Sequence, residues 1–163
     1  MKIRPEVAGD HEDIYALTKT AFEPMVFSDG TEAERVNTLR ADNDLHLSLV
    51  AEDDGKIVGH IAFSPVFLSD PSIGWFGLGP VSVWPDRQKS GIGSRLINEG
   101  LGILQKRNAS GCVLIGDPNY YSRFGFVADG RISYRDLPTE VVQWLAFSDA
   151  KPGGVVKFSP GLE

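Results

Sequence analysis

The chain has 163 residues, 42% of them apolar and 23% charged, with a net charge of −6; this is the composition of one folded globular domain and argues against disorder. No apolar run approaches the roughly 20 residues that a bilayer-crossing helix needs, and no apolar segment follows the basic start Met1-Lys2-Ile3-Arg4-Pro5-Glu6, so neither a membrane anchor nor a secretory signal is expected. The acidic balance argues against a nucleic-acid partner, and a single cysteine, Cys112, cannot close an internal disulfide, so the expected compartment is the cytoplasm.

No repeat or Pro/Ser-rich linker divides the chain, so residues 1–163 read as a single domain. Ile3 to Val7 predicts a short first strand. Asp10 reads as the N-cap of a helix carrying Ile14, Leu17 and Ala21 on one face and ended by Pro24. Thr31 followed by Glu34 has the capping-box spacing, and Val36 and Leu39 continue it as a second helix. Leu45, Leu47 and Leu49 alternate with polar neighbours as a strand. Asp54-Gly55 then turns into Ile57, Gly59, Ile61 and Phe63, which makes a hairpin.

Trp75 to Trp84 is apolar on both faces and predicts a buried central strand. Pro80 cannot donate to a ladder, so a bulge or local parting is expected there. From Gly91 to Arg107 the spacing is helical, with Ile92, Leu96, Ile97, Leu101, Ile103 and Leu104 on one half of the circle. Val113 to Ile115 forms a fifth strand, and strand, long helix, strand predicts a right-handed parallel crossover. Val141 to Phe147 and Val155 to Phe158 are further strands, and the order of elements gives a mixed α/β domain.

The most informative stretch is the loop that opens the long helix, Gln88-Lys89-Ser90-Gly91-Ile92-Gly93-Ser94. Unpaired N–H groups and the helix dipole make such a start attractive to a diphosphate, and glycine lets the ligand approach the backbone. A Walker loop would need Gly-Lys-Ser/Thr where Gly93-Ser94-Arg95 stands. A dinucleotide fingerprint would need a small residue at Leu96 and glycines directly after the strand. An ordinary helix start remains the bland alternative.

This stretch resembles the Q/R-x-x-G-x-G/A signature of the GNAT superfamily of acetyl-CoA-dependent N-acetyltransferases, with Val81, Val83 and Pro85 agreeing in the flank. A second block, Tyr121-Ser122-Arg123-Phe124-Gly125-Phe126, is similar to the family's Y-x-x-x-G-F, and the general likeness runs from Ile3 to Phe126. The resemblance implies a GNAT fold, a mixed and mostly antiparallel sheet of six to seven strands with splayed central strands, flanked by helices. It implies acetyl-CoA as co-substrate, no metal, a primary amine as acceptor, and homodimers as a family habit. Gln88, Lys89, Ser90, Gly91, Ile92, Gly93 and Ser94 are then expected at the CoA pyrophosphate. Val81 and Val83 are expected at the pantetheine and acetyl group through their main chain, and Tyr121 at the leaving sulfur as general acid, with Tyr120 as its rival.

The chain departs from the family where a fourth-strand glutamate often serves as base, because Trp75-Phe76-Gly77-Leu78-Gly79-Pro80 holds no carboxylate. Asp117 is the substitute expected nearest the sulfur, with a turn role before Pro118 as its alternative. His60 and Ser64 share a strand face, and Glu32 and Glu34 fall where the family puts its acceptor-binding helices. Met25, Phe27, Trp75 and Trp144 could line an acceptor pocket, although each reads first as core. His11, His46 and His60 lack metal-ligand spacing, and Cys112 falls in a buried strand. The competing function is a non-catalytic acyl-CoA-binding module.

Overall fold

Eight strands and four helices follow one another in the computed structural model, which describes every residue from Met1 to Glu163. The strands are β1 (Lys2–Pro5), β2 (Leu47–Asp53), β3 (Lys56–Leu68), β4 (Trp75–Val83), β5 (Gly111–Ile115), β6 (Ile132–Ser133), β7 (Val142–Ala146) and β8 (Gly154–Phe158). The helices are α1 (His11–Phe22), α2 (Glu32–Ala41), α3 (Ile92–Lys106) and the single turn α4 (Pro118–Tyr121). The main sheet runs β1-β2-β3-β4-β5-β7, with β8 on the far half of β3 and the two-residue β6 beside it. The seven expected strands thus form one mixed, mostly antiparallel sheet, and β6 is an addition too short to leave a periodic signal.

Asp54 and Gly55 both take positive φ, 50° and 75°, as a tight hairpin between β2 and β3 demands. All neighbours along the main path are antiparallel except β4 and β5, which α3 joins by the expected crossover.

The alternation of β3 sorts its side chains between two cores. Ile61 and Phe63 join Leu49 and Leu78 against Ile92, Leu96, Leu101 and Leu104 of α3. The opposite face is covered at one end by Ile14, Leu17 and Val36 of α1 and α2. At its other end it meets Trp75, Val113, Val156 and Phe158. Register on β4 slips between Ile61 and Phe63, where Gly79 and Pro80 together oppose Ala62. This is the bulge that Pro80 predicts.

Two expected caps form differently. Asp10 makes no side-chain cap on α1. Its carboxylate instead accepts from the Val7 amide at 2.8 Å and from Arg4 at 2.7 and 3.1 Å, because a buried carboxylate gains more from a guanidinium than from one amide. Thr31 does precede α2, but the capping box is absent. The Thr31 hydroxyl donates to Asp29 at 2.5 Å and accepts from Arg35, while Glu34 accepts from the Tyr15 hydroxyl and ties α2 to α1.

Gly100 sits where α3 crosses Phe63, and a Cβ there would fall 2.3 Å from a ring carbon of that fully buried side chain. Helix propensity alone favours Gly100→Ala by about 1 kcal/mol. Overpacking should reverse the sign and leave a net loss of about 1–2 kcal/mol, read as a lower urea midpoint; a raised midpoint would show that Phe63 yields freely.

Candidate active site

Pairing between β4 and β5 covers only Trp75–Gly111, Phe76–Cys112 and Gly77–Val113, and beyond these residues the two strands part. The Trp84 amide donates to Val58 of β3 at 3.0 Å. In an antiparallel ladder successive residues turn their N–H groups to opposite sides, so Ser82 also bonds β3 while Val81 and Val83 face the β5 side, past the last β4–β5 pair. The Val83 carbonyl confirms this direction, because it accepts from the Gln88 side chain at 3.0 Å instead of from β3.

The loop from Val83 to α3 is anchored at its start by Trp84, whose indole donates to Ile57 O at 2.9 Å, and by an Arg87–Asp53 ion pair. Ser90 donates back to Arg87 O. Lys89 (φ 62°) and Gly91 (φ 88°) are both left-handed, and Gly91 is the residue from which α3 departs. No acidic side chain lies in the first turn of α3, so nothing neutralises its free amides. Gly93 faces Val83 and the Tyr120 hydroxyl, the latter 3.5 Å from where a Cβ would stand, so the missing side chain keeps the space between α3, β4 and α4 open.

Across that space, α4 and the turn after it bring together an aromatic group. Tyr120 and Tyr121 meet edge to face at 4.9 Å, Tyr121 packs on Phe126 at 6.1 Å, and Arg123 stacks over Tyr120. Burial, then the neighbouring Tyr120, push the Tyr121 phenol up to about 12, so it stays protonated at neutral pH. Both tyrosines pack against the α3 face of the sheet and both are partly exposed. Asp117 caps α4, its Oδ1 accepting from the Asn119 amide at 2.9 Å.

The other acidic and aromatic candidates are dispersed. Glu32 accepts from Ser28 and Glu34 from Tyr15. Trp75 is buried among core residues, whereas Phe27 departs from the core expectation at 76% exposure on the α1–α2 connection. Trp144 donates to Asp129. Cys112 is fully buried, and burial drives its thiol well above the ordinary range, so it is no nucleophile. No three His, Cys, Asp or Glu side chains converge to hold a metal ion, and no helix is long and apolar enough to cross a membrane.

His60 has more around it than strand parity suggests. Its Nε2 lies 2.8 Å from Ser48 Oγ, and Ser48 donates to Glu6, which also pairs with Arg40 and His11 at 2.9 Å each. This chain joins residues far apart in sequence and leaves no local pattern to read. Burial lowers the imidazole to about 4, with Glu6 opposing the fall and Arg40 adding to it.

Comparisons with known proteins agree with this geometry. Residues 2–128 match the family model described as an acetyltransferase (GNAT) domain. The chain is 41% identical over 127 residues to the uncharacterized N-acetyltransferase YhbS of Escherichia coli K12, a span covering 77% of this chain and 73% of that protein. Among solved structures it resembles a GNAT family acetyltransferase from Brucella melitensis in complex with acetyl-CoA (TM-score 0.89, 46% identity, 99% and 97% of the two chains). It also resembles YhbS from Escherichia coli in complex with CoA (TM-score 0.90, 32% identity, 99% and 91%).

The buried imidazole generates a stability prediction. An unfolded histidine takes a proton near 6.5 and the folded His60 only near 4, so between those values the unfolded state binds the extra proton and stability falls as pH drops. The full effect is roughly 3 kcal/mol. Urea titrations at pH 7 and pH 4.5 should show most of that loss in the native chain and a smaller loss in His60→Gln; equal losses in the two would contradict it.

Proposed function

This chain belongs to the GNAT family of acetyltransferases, and on that premise we propose that it moves the acetyl group of acetyl-CoA directly to a primary amine, with donor and acceptor bound together. The observation that carries the reading is the early end of β4–β5 pairing beside the open start of α3. That arrangement offers main-chain donors to an extended chain and to a diphosphate within one continuous site.

The residues present fit such a group. The left-handed Lys89 and Gly91 turn the loop around a convex ligand, and Gly93 carries no side chain to obstruct it. Gln88, Lys89, Ser90, Gly91, Ile92, Gly93 and Ser94 would hold the pyrophosphate, mostly through amides, and the main chain of Val81 and Val83 would hold the pantetheine and the acetyl carbonyl. The bound ester supplies an activated carbonyl and a thiolate leaving group.

The protein's own work is then positional and electrostatic. Amides fixed along β4 favour charge that develops on the carbonyl oxygen, since they are aimed in advance and cost no reorganisation. The Tyr121 hydroxyl, kept protonated by burial, donates its proton to the departing sulfur. Asp117 would take the amine proton only with the carboxylate oxygen that does not cap α4. A cytoplasmic site of action accompanies the reading and is supported by the buried, unpaired Cys112.

A second reading, a binding module without turnover, draws on the absence of any carboxylate from β4. Calorimetry with CoA, together with thiol release from acetyl-CoA against polyamines, aminoglycosides, aryl amines and peptide N-termini, separates the two. Binding plus release with at least one amine, lowered about 10²-fold or more in kcat by Tyr121→Phe, is expected of the enzyme. Binding without release from any amine supports the module, and no binding removes both.

A further inference from the structure

Past Val113, β5 has no partner on the β4 side and is held by β7 alone. The ladder there runs Leu114–Gln143 and Ile115–Val142, so the next residues to meet are Gly116 and Val141. Only one of their two bonds forms. The Gly116 amide donates to the Val141 carbonyl at 3.1 Å, whereas the Val141 amide is taken by Pro138 O at 3.2 Å in the turn that leads into β7. The return bond of an antiparallel pair is therefore missing, at the wall of the gap. The Gln143 side chain fills its place, with Nε2 donating to Gly116 O at 3.0 Å.

This contact accounts for a polar side chain in an apolar place. Gln143 is 1% exposed, and so are Leu114 opposite it and Val142 beside it. An amide that deep in a sheet is kept only with a partner. Since a carbonyl can only accept, the nitrogen end of the amide is the one that faces Gly116.

Gly116 itself is a glycine for space and not for its backbone. It is not among the residues with positive φ, so its conformation does not call for glycine. A Cβ there would fall 2.7 Å from Cε2 and 3.1 Å from Cδ2 of Tyr121. The Tyr121 ring thus lies directly against the Gly116 main chain, and the edges of Tyr120 and Phe126 meet it at centroid separations of 4.9 and 6.1 Å. The floor beneath the phenol is the residue that Val141 and Gln143 fasten to β7.

Resting on the acetyl-transfer reading above, we propose that Gln143 is a positioning residue for Tyr121: by holding Gly116 on β7 it sets where the phenol hydroxyl stands at the leaving sulfur. It acts on the reaction only through Gly116. The next residue, Asp117, is the N-cap of α4, and α4 carries Tyr121, so a shift of Gly116 moves both the floor under the ring and the turn that bears it. A displacement of about 1 Å at a reacting group can cost on the order of 10²-fold in rate. The same contact separates the two tyrosines. Tyr121 is backed by main chain fastened to a strand, whereas the Tyr120 hydroxyl reaches toward Gly93 at the start of α3.

Two measurements test this. Carbon-13 NMR of labelled tyrosines needs neither cofactor nor acceptor. The Tyr121 ring signal, identified by its loss in Tyr121→Phe, should move in Gln143→Met and in Gly116→Ala, while that of Tyr15 on α1 stays in place. With the amine that gives most turnover, each variant should lower kcat about 10-fold and leave KM for acetyl-CoA within about twofold of native. Neither should slow Tyr121→Phe by more than about twofold, because the group they position is then absent. An unmoved Tyr121 signal in Gln143→Met, or losses that multiply with Tyr121→Phe as a purely structural role would give, overturns the proposal. Should Gln143→Met fail to fold, Gln143→Glu decides: its carboxyl can donate to Gly116 only when protonated, so its kcat relative to native should fall as pH rises, and a flat ratio refutes the role. Absence of turnover with every amine would instead strike the acetyl-transfer reading, and the ring signals would still show whether Gln143 and Gly116 hold Tyr121.

Discussion

The rest of the structure depends on three residue pairs. β4 and β5 are parallel neighbours for Trp75–Gly111, Phe76–Cys112 and Gly77–Val113 and then cease to be neighbours. A sheet interior that stops pairing leaves amides without partners, which is costly unless water or a ligand takes them. Both devices that permit the parting belong to β4. The bulge at Gly79 and Pro80 changes its register against β3. The odd-numbered residues beyond the bulge then aim their main chain at the opening while the even-numbered ones hold the strand to β3.

The two cores keep the opening from closing. On one side α3 is pressed to β3 through Phe63 under Gly100 and through Ile92 and Leu96 over Gly59, where a Cβ would be 2.9 Å from Ile92. The N-terminus of α3 is thus fixed relative to β4 by close packing, and its loop is held separately by Arg87 on Asp53 and Trp84 on Ile57. On the other side the cover is divided, with aliphatic residues at one end, aromatic residues at the other and polar ones between.

Much of this was legible in the sequence because it is written locally. The α3 stripe, the Gly-x-Gly helix start, the Asp54-Gly55 turn and the disruption at Pro80 each depend on neighbouring residues, and each formed as read. The misread features depend on distant partners. Thr31 and Asp10 are good caps by type, yet guanidinium donors, Arg35 and Arg4, take up their oxygens instead. Phe27 looks like core by composition but lies on a connection with nothing above it. The Glu6–Ser48–His60 chain crosses three strands, so no window of sequence contains it.

The central claim is that the unpaired amides of β4 and of the first turn of α3 form one binding surface. Amide hydrogen exchange with and without CoA tests it residue by residue. The account predicts added protection at Val81 and Val83 and at Ile92, Gly93 and Ser94, with little change along β1 and β2. Unchanged exchange at those five amides in the presence of saturating CoA, or protection confined to the Glu6–Arg40 cavity, would contradict it.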